Sequence, residues 1–149
     1  MSISIANANL GNDLKLDEDN DLCAAVDGDL ACCDDGIATL VQDIGNCLST
    51  IPGEVFAHAT SGAGTRRLLG EDDMDDVAIR ALSDALLYDP WVAPRIDPDA
   101  IQVSRLTDQE ADGEARFLIT VTPLGSTTTS PINIIWNANT TSIESSEVR

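Results

Sequence analysis

The spacing of apolar residues before the middle of the chain predicts an amphipathic helix that ends at a sharp corner. One face of this helix carries the predicted core positions, namely Ile37, Leu40, Val41, Ile44, Cys47 and Leu48. Pro52 lacks an N–H and restricts the residue before it, and Gly53 permits a reversal of the backbone. The chain is therefore expected to leave the helix axis here, which places Glu54 just beyond a fixed corner.

A short β-hairpin is predicted ahead of this helix. Residues 22–26 and 29–33 flank Asp27 and Gly28, a dipeptide that readily adopts the positive φ angles of a type I′ turn. Residues 1–20 are expected to form an acidic N-terminal arm, and no internal repeat is expected in the chain.

A second helix is predicted after the corner and a loop. Its apolar stripe consists of Met74, Val77, Ala78, Ala81, Leu82 and Ala85. The helix is expected to begin near Asp72 or Asp73, whose carboxylates favour a helix N-terminus, and to end before Asp89.

Three strands are predicted in the last third of the chain, because apolar residues alternate with their neighbours at period two. The alternating positions are Ile101 and Val103, then Phe117, Ile119 and Val121, then Ile132, Ile134 and Trp136. The fold class that follows is α+β, with an N-terminal β-hairpin and two helices packed on an antiparallel C-terminal sheet. This domain is expected to span residues 21–137, to carry its last strand, 131–136, at an open edge, and to be followed by a flexible tail over 138–149.

The net charge of the chain limits the kinds of molecule it is expected to bind. The sequence has 149 residues, enough for one ordinary core, with 8 basic and 26 acidic side chains and a formal net charge of -18. Such a charge repels phosphate backbones and anionic lipid head groups, so neither nucleic acid nor a membrane is an expected partner. No segment has the features of a signal peptide or a membrane span, which predicts synthesis in a cytosol.

No metal or cofactor is expected either. Asp17, Asp19 and Asp21 have the spacing of the first ligands of a calcium loop, but Leu22 stands where that loop needs glycine. The four cysteines contain no CxxC pair and the chain has a single histidine, His58, which argues against a zinc site. The cysteines are expected to be reduced and mostly buried.

A segment of the chain resembles the small baseplate wedge family of contractile-tail phages, which has relatives in type VI secretion baseplates. The signature QxxxxxLxTxxGE is carried by Gln42, Leu48, Thr50, Gly53 and Glu54. The resemblance continues through Arg67-Leu68-Leu69, Ala85-Leu86, Asp89-Pro90 and Pro94-Arg95-Ile96, and it covers roughly residues 20 to 137.

The resemblance implies a structural protein of the virion tail baseplate rather than an enzyme. Such a protein is expected to assemble in the bacterial host cytoplasm, in six copies per baseplate, and to initiate the sheath by strand addition. The implied partners are larger wedge subunits, the tail sheath protein, and the tail tube or hub. The family's Glu-Pro-Arg contact corresponds to Ala93-Pro94-Arg95, so the glutamate is missing here. The predicted partner-binding residues are Glu54, Pro94, Arg95, Ile132, Ile134 and Trp136.

Two alternatives remain open on the sequence. A lysozyme-like glycoside hydrolase would use Glu54 and a nearby aspartate as its carboxylate pair. A regulatory adaptor sharing the fold would act by binding alone, because a fold does not fix a function.

Overall fold

The computed structural model describes residues 13–17, 19, 21–33, 36–58, 61–64, 75–106, 115–124 and 130–148. In chain order the regular elements are α1 (Gly36–Ser49), α2 (Asp75–Tyr88), two 3₁₀ helices (Ala93–Arg95 and Pro98–Ala100), β1 (Gln102–Arg105), β2 (Arg116–Val121), β3 (Ile132–Asn137) and β4 (Ser142–Val148). The predicted α+β class is confirmed, since two helices accompany a four-stranded antiparallel sheet. No helix among these residues is long and apolar enough to cross a membrane.

The sheet presents one apolar face to the helices. Its strand order is β1-β2-β3-β4, and all neighbours are antiparallel. The central register pairs Phe117 with Trp136, Ile119 with Ile134, and Val121 with Ile132. All six side chains are buried together with apolar residues of α1 and α2, which form a single core cluster with them. The core therefore lies between this face and the two helices.

The prediction that residues 131–136 form an edge strand is wrong. β3 is hydrogen-bonded to β2 on one side and to β4 on the other, so its backbone groups are already paired. β4 lies within residues 138–149, which were expected to form a flexible tail. Its sequence, SIESSEV, is too polar to give a clear alternation, and its place in the sheet comes from pairing with β3.

Side-chain hydrogen bonds on the outer face of the sheet connect β4 to the neighbouring strands. The Glu144 carboxylate accepts hydrogen bonds from Arg116 Nε at 2.8 Å and from Asn137 Nδ2 at 2.9 Å. These bonds lower the pKa of Glu144, with the Arg116 bond as the main cause. The ionised carboxylate thus links β4 to β2 and β3.

Helix α1 follows its predicted stripe, with Leu40, Ile44 and Leu48 almost fully buried. Helix α1 packs against α2 and also against β4. The close approach is made at Gly45, where a Cβ atom would lie 3.1 Å from the Cδ1 atom of Ile143. Glycine at this position therefore allows the helix to pack against the last strand.

Helix α2 differs in detail from its prediction. Ala78, Leu82 and Ala85 are buried as expected, and Leu86 joins them. Val77, predicted on the buried stripe, is instead 46% exposed. The predicted start at Asp72 or Asp73 and the predicted stripe residue Met74 lie outside the described residues.

Residues 13–17 and 21–33 form a closed arrangement of three short segments, which we call the N-terminal triangle. Lys15 N donates to Ala31 O at 2.8 Å, Ala31 N donates to Cys23 O at 2.9 Å, and Cys23 N donates to Lys15 O at 3.1 Å. The three bonds close a ring in which each segment contacts the other two.

The predicted hairpin is one corner of this triangle. The chain reverses at Gly28, whose φ is +88°, and Ala24 forms an antiparallel bridge with Leu30. The bridges are isolated ones rather than the continuous strands expected over residues 22–26 and 29–33. Residues 13–17 were expected in a separate acidic arm, yet they form the third segment.

An eight-residue repeat underlies the triangle, so the expectation of no internal repeat is wrong. An Asp-Leu pair recurs at Asp13-Leu14, Asp21-Leu22 and Asp29-Leu30. The backbone hydrogen bonds where two segments of the triangle meet recur with the same eight-residue period. Asp17 N donates to Asp21 O at 2.9 Å, Ala25 N to Asp29 O at 2.7 Å, and Cys33 N to Asp13 O at 2.8 Å.

Gln42 of α1 fastens the triangle to the rest of the domain. Its Nε2 atom donates to Leu14 O at 2.8 Å, and its Oε1 atom accepts from Leu16 N at 2.9 Å. The side-chain amide therefore pairs with the backbone of residues 14–16 as a neighbouring strand would.

Substitution of Gln42 by Ala should loosen the triangle without breaking the main core. Loss of two hydrogen bonds is expected to lower the free energy of unfolding by about 1–2 kcal/mol. Amide exchange at Lys15, Cys23 and Ala31 should accelerate, as measured by hydrogen–deuterium exchange. Gln102→Ala, at an exposed position of β1, is the matched control, and equal exchange in the two variants would contradict the role given to Gln42.

Candidate functional site

Thr50, Gly53 and Glu54, three residues of the QxxxxxLxTxxGE pattern, build the corner that follows α1. Thr50 Oγ1 donates to Asn46 O at 2.7 Å, which closes the last helical turn. Glu54 N donates to Ile51 O at 3.0 Å, and Glu54 Oε2 accepts from Ile51 N at 3.0 Å. Gly53 supplies the positive φ of +91° that this tight turn requires. Glu54 is therefore exposed, but its carboxylate is held by its own turn.

A second glycine lets the following loop return onto the corner. Gly62 has a φ of +107°, and a Cβ atom there would lie 2.2 Å from Thr50 O. Gly64 N donates to the same carbonyl at 3.4 Å. Residues 61–64 thus pack directly on Thr50 and fix the position of the corner.

A cavity of about 600 Å³ opens between α1, the corner and the turn after α2. Its lining residues are Asp13, Thr39, Asp43, Asn46, Cys47, Thr50, Val55, Ser61, Asp89, Pro90, Trp91 and Arg95. Of the predicted partner-binding residues, only Arg95 lines it.

Arg95 is held in place by α1. Its Nη2 atom forms a salt bridge with Asp43 Oδ2, and its Nε atom donates to Trp91 O at 2.8 Å. The Arg95 and Asp43 side chains are 16% and 22% exposed. The arginine therefore anchors the first 3₁₀ helix to α1, and a small part of its side chain stays accessible.

Asp89 organises the turn that carries Arg95. Its buried carboxylate accepts from Trp91 N and Val92 N, both at 2.9 Å. The exposed Trp91 ring meets the His58 ring edge-on, with centroids 4.7 Å apart and planes at 76°. The turn after α2 and the loop after α1 are thus joined by a ring contact next to the cavity.

The reactive side chains of the cavity are poorly suited to nucleophilic chemistry. Cys47 Sγ donates to Ala85 O at 3.5 Å, and burial, with a smaller contribution from Asp89, raises its pKa far above the usual range. A thiol in that state is a weak nucleophile. Ser61 Oγ is buried with no hydrogen-bond partner among the described residues. In the same part of the chain, no group of three or more His, Cys, Asp or Glu residues could hold a metal ion.

The predicted partner-binding residues divide into two sets. Glu54 and Pro94 are exposed and Arg95 is partly exposed, so these three residues are accessible to a partner. Ile132, Ile134 and Trp136 have no exposed area, and they belong to the core. Their prediction as contact residues depended on an edge position for β3, which the sheet order rules out.

Sequence patterns did not reveal the partner of Arg95. Asp43 lies 52 positions away along the chain and falls on a polar face of α1, where any carboxylate would be expected to be solvated. The short spacing from Asp89 to Arg95 predicts a turn between them. It does not indicate that Arg95 forms a salt bridge with α1.

The comparisons with known proteins supply no relative. A scan against protein-family models finds no match, and searches of curated proteins and of solved structures find none either.

Replacing Gly62 by Ala should destabilise the corner strongly. The new methyl group would collide with Thr50 O at a backbone angle that side chains rarely adopt, so the expected loss is at least about 3 kcal/mol. Gly53→Ala is the matched control, because its φ is also positive but nothing lies within 4 Å; its expected cost is about 1 kcal/mol. Urea unfolding measures both, and equal losses would contradict the close approach at Gly62.

A double-mutant cycle should detect the Arg95–Asp43 pair. With Asp43→Asn and Arg95→Gln, the expected coupling energy is about 1–2 kcal/mol, because both side chains are largely shielded from water. The comparison pair, Arg116 and Glu144, has side chains 18% and 34% exposed and should couple by less than about 1 kcal/mol. A coupling near zero for Arg95 and Asp43 would contradict the anchoring role given to this salt bridge.

Proposed function

We propose that this chain is a structural component of a phage contractile-tail baseplate. In that role it links larger wedge subunits to the sheath next to the tail tube or hub, and six copies act as the platform on which the first sheath ring assembles. The observation that carries the proposal is the role of the signature residues. Gln42, Thr50, Gly53 and Glu54 each make a contact or turn that shapes the backbone.

The proposed wedge contact is the surface around Pro94 and Arg95. Pro94 is exposed on the first 3₁₀ helix, and the salt bridge with Asp43 fixes the direction of the neighbouring guanidinium. A fixed planar donor loses less conformational entropy on binding a carboxylate than a mobile one. This arrangement supports binding of an acidic group on a wedge subunit even without the family's glutamate.

The proposed sheath contact is β4 rather than β3. β4 is one of the two outer strands of the sheet, and its residues 144–148 are exposed. A strand at this position has one row of backbone groups facing away from the sheet, which an extended arm of another subunit can pair with. With β3 in the interior of the sheet, we propose β4 as the strand that the sheath contact uses.

The hydrolase alternative has less support. A glycosidase acid needs a shielded environment that keeps it protonated. Glu54 is exposed, and its carboxylate accepts a hydrogen bond from Ile51 N.

Co-expression with candidate wedge and sheath proteins from the same genome would test the proposal. The tagged chain should co-purify with a larger wedge subunit, and electron microscopy of the resulting baseplates should locate six copies next to the tube. Pro94→Glu should abolish the wedge contact, since it adds a negative charge where an acidic group is expected to bind.

Pro98→Glu is the matched control for this experiment, because Pro98 is also an exposed proline of a 3₁₀ helix. It should co-purify as the wild type does. A folded chain that ignores all neighbouring tail proteins would refute the proposed function, and equal behaviour of the two proline variants would refute the proposed contact.

A further inference from the structure

The cavity of about 600 Å³ beside α1 is large enough for a small molecule, and the proposed baseplate role makes no use of its interior. One wall is a single side of α1 and its C-terminal end, because the lining residues there recur at helical spacing. These residues are Thr39, Asp43, Asn46, Cys47 and Thr50. The cavity therefore follows α1 over about three turns.

A buried hydroxyl in the cavity wall lacks a hydrogen-bond partner. Ser61 lines the cavity and is only 5% exposed. Its Oγ atom has no partner among the described residues, although buried hydroxyl groups are normally hydrogen-bonded. An unbonded buried hydroxyl destabilises a fold. A polar group of a ligand in this cavity would supply the missing hydrogen bond.

A carboxylate lies at the same end of the cavity. Asp89 is 3% exposed, and it lies beside Cys47 of the last turn of α1. Both backbone donors of its turn bind Asp89 Oδ1, and Oδ2 receives neither of them. Asp89 forms no salt bridge with any described residue. Its negative charge is therefore not neutralised by a basic side chain of this part of the chain.

The other end of the cavity also carries an excess of one negative charge. Gln42 binds Leu14 O, so the residues next to these two, Asp43 and Asp13, lie at the same end of the cavity. Arg95 pairs with Asp43. The Asp13 carboxylate accepts from the backbone N–H of its neighbour Leu14 at 2.7 Å, which leaves its charge unpaired.

The rest of the lining suits an organic cation better than a metal ion. Val55 and Pro90 give apolar surface, and the Trp91 ring, 53% exposed, presents a π face that attracts cations. Within the described part of the chain, no group of three or more His, Cys, Asp or Glu residues could hold a metal ion. The carboxylates of the cavity are thus too dispersed for one small ion.

We propose that this cavity binds a short linear aliphatic diamine, with one ammonium group at Asp89 and Ser61, the other at Asp13, and the alkyl chain along Val55. The charge of the lining selects this ligand, because three carboxylates against one guanidinium repel anions. An ammonium group has three N–H donors, which match carboxylate and hydroxyl acceptors. The proposal does not depend on the proposed baseplate function, and the salt bridge between Arg95 and Asp43 stays intact.

Titration of the full chain with pentane-1,5-diamine tests the proposal. The indole N–H signal of Trp91 should shift saturably in NMR spectra, whereas that of Trp136, the other tryptophan of the chain and a core residue, should not. By calorimetry, pentylamine should bind about tenfold more weakly, because it has one ammonium group, and pentane-1,5-diol should not bind. The dissociation constant of the diamine should rise with salt.

Ser61→Ala separates a ligand-binding role from a structural one. Loss of the hydroxyl should weaken diamine binding severalfold, yet it should raise the urea midpoint of the free protein, since a buried unbonded group is removed. A serine with a merely structural role would not weaken binding. Ser104→Ala, at an exposed position of β1, is the matched control and should change neither quantity.

Asp13→Asn and Asp89→Asn test the two charged ends. Asparagine keeps the Oδ1 acceptor for the backbone N–H groups but removes the charge. Each variant should reduce diamine affinity about tenfold, to the level of pentylamine with the wild type. Asp97→Asn is the matched control, because Asp97 Oδ1 accepts from Asp99 N in the same way and Asp97 does not line the cavity.

Several outcomes would overturn the proposal. The diamine gives no saturable shift, the diol or pentylamine binds as tightly, the shifts spread over the whole acidic surface, or the Ser61 and Asp13 variants bind as the wild type does. Equal binding of N-acetyl-lysine methylamide would assign the cavity to a lysine side chain of another protein instead. Circular dichroism checks the fold of each variant, and the Ser61 and Asp13 variants decide if the Asp89 variant does not fold.

Discussion

Burial of one stripe of α1 is the constraint on which the rest of the domain depends. Leu40, Ile44 and Leu48 are almost fully buried, and burial of such side chains contributes about 1.5–3 kcal/mol each. Fixing this stripe also fixes the polar residues beside it. Gln42 binds the backbone of the N-terminal triangle and Asp43 binds Arg95, so consecutive residues of one helical turn position two separate surfaces.

The elements that sequence reasoning found are those whose own pattern is strong. Helix α1 and strands β2 and β3 have clear periods, because one face of each is buried in the core. β4 was missed because it pairs through its backbone and carries mostly Ser and Glu. The triangle was missed because its segments are only a few residues long, although the spacing of its Asp-Leu pairs was legible in the sequence.

The candidate site was harder to predict than the fold. The turn around Glu54 followed from Pro52 and Gly53, which act on the local backbone. The salt bridge of Arg95 depends on how two distant segments pack, and no local pattern encodes that. The error at Ile132, Ile134 and Trp136 has a similar origin, since an apolar strand looks the same in sequence whether it lies at an edge or in the interior of a sheet.

The approach of Gly45 to Ile143 joins a helix near the start of the described chain to its last strand. During synthesis from the N-terminus, α1 emerges long before β4 exists. The apolar stripe of α1 can pack against α2 earlier, but the side facing β4 stays uncovered until residues 142–148 have been made. The domain therefore closes only once β4 has been made, and a chain interrupted before residue 142 would leave part of α1 and one side of β3 open to unwanted association.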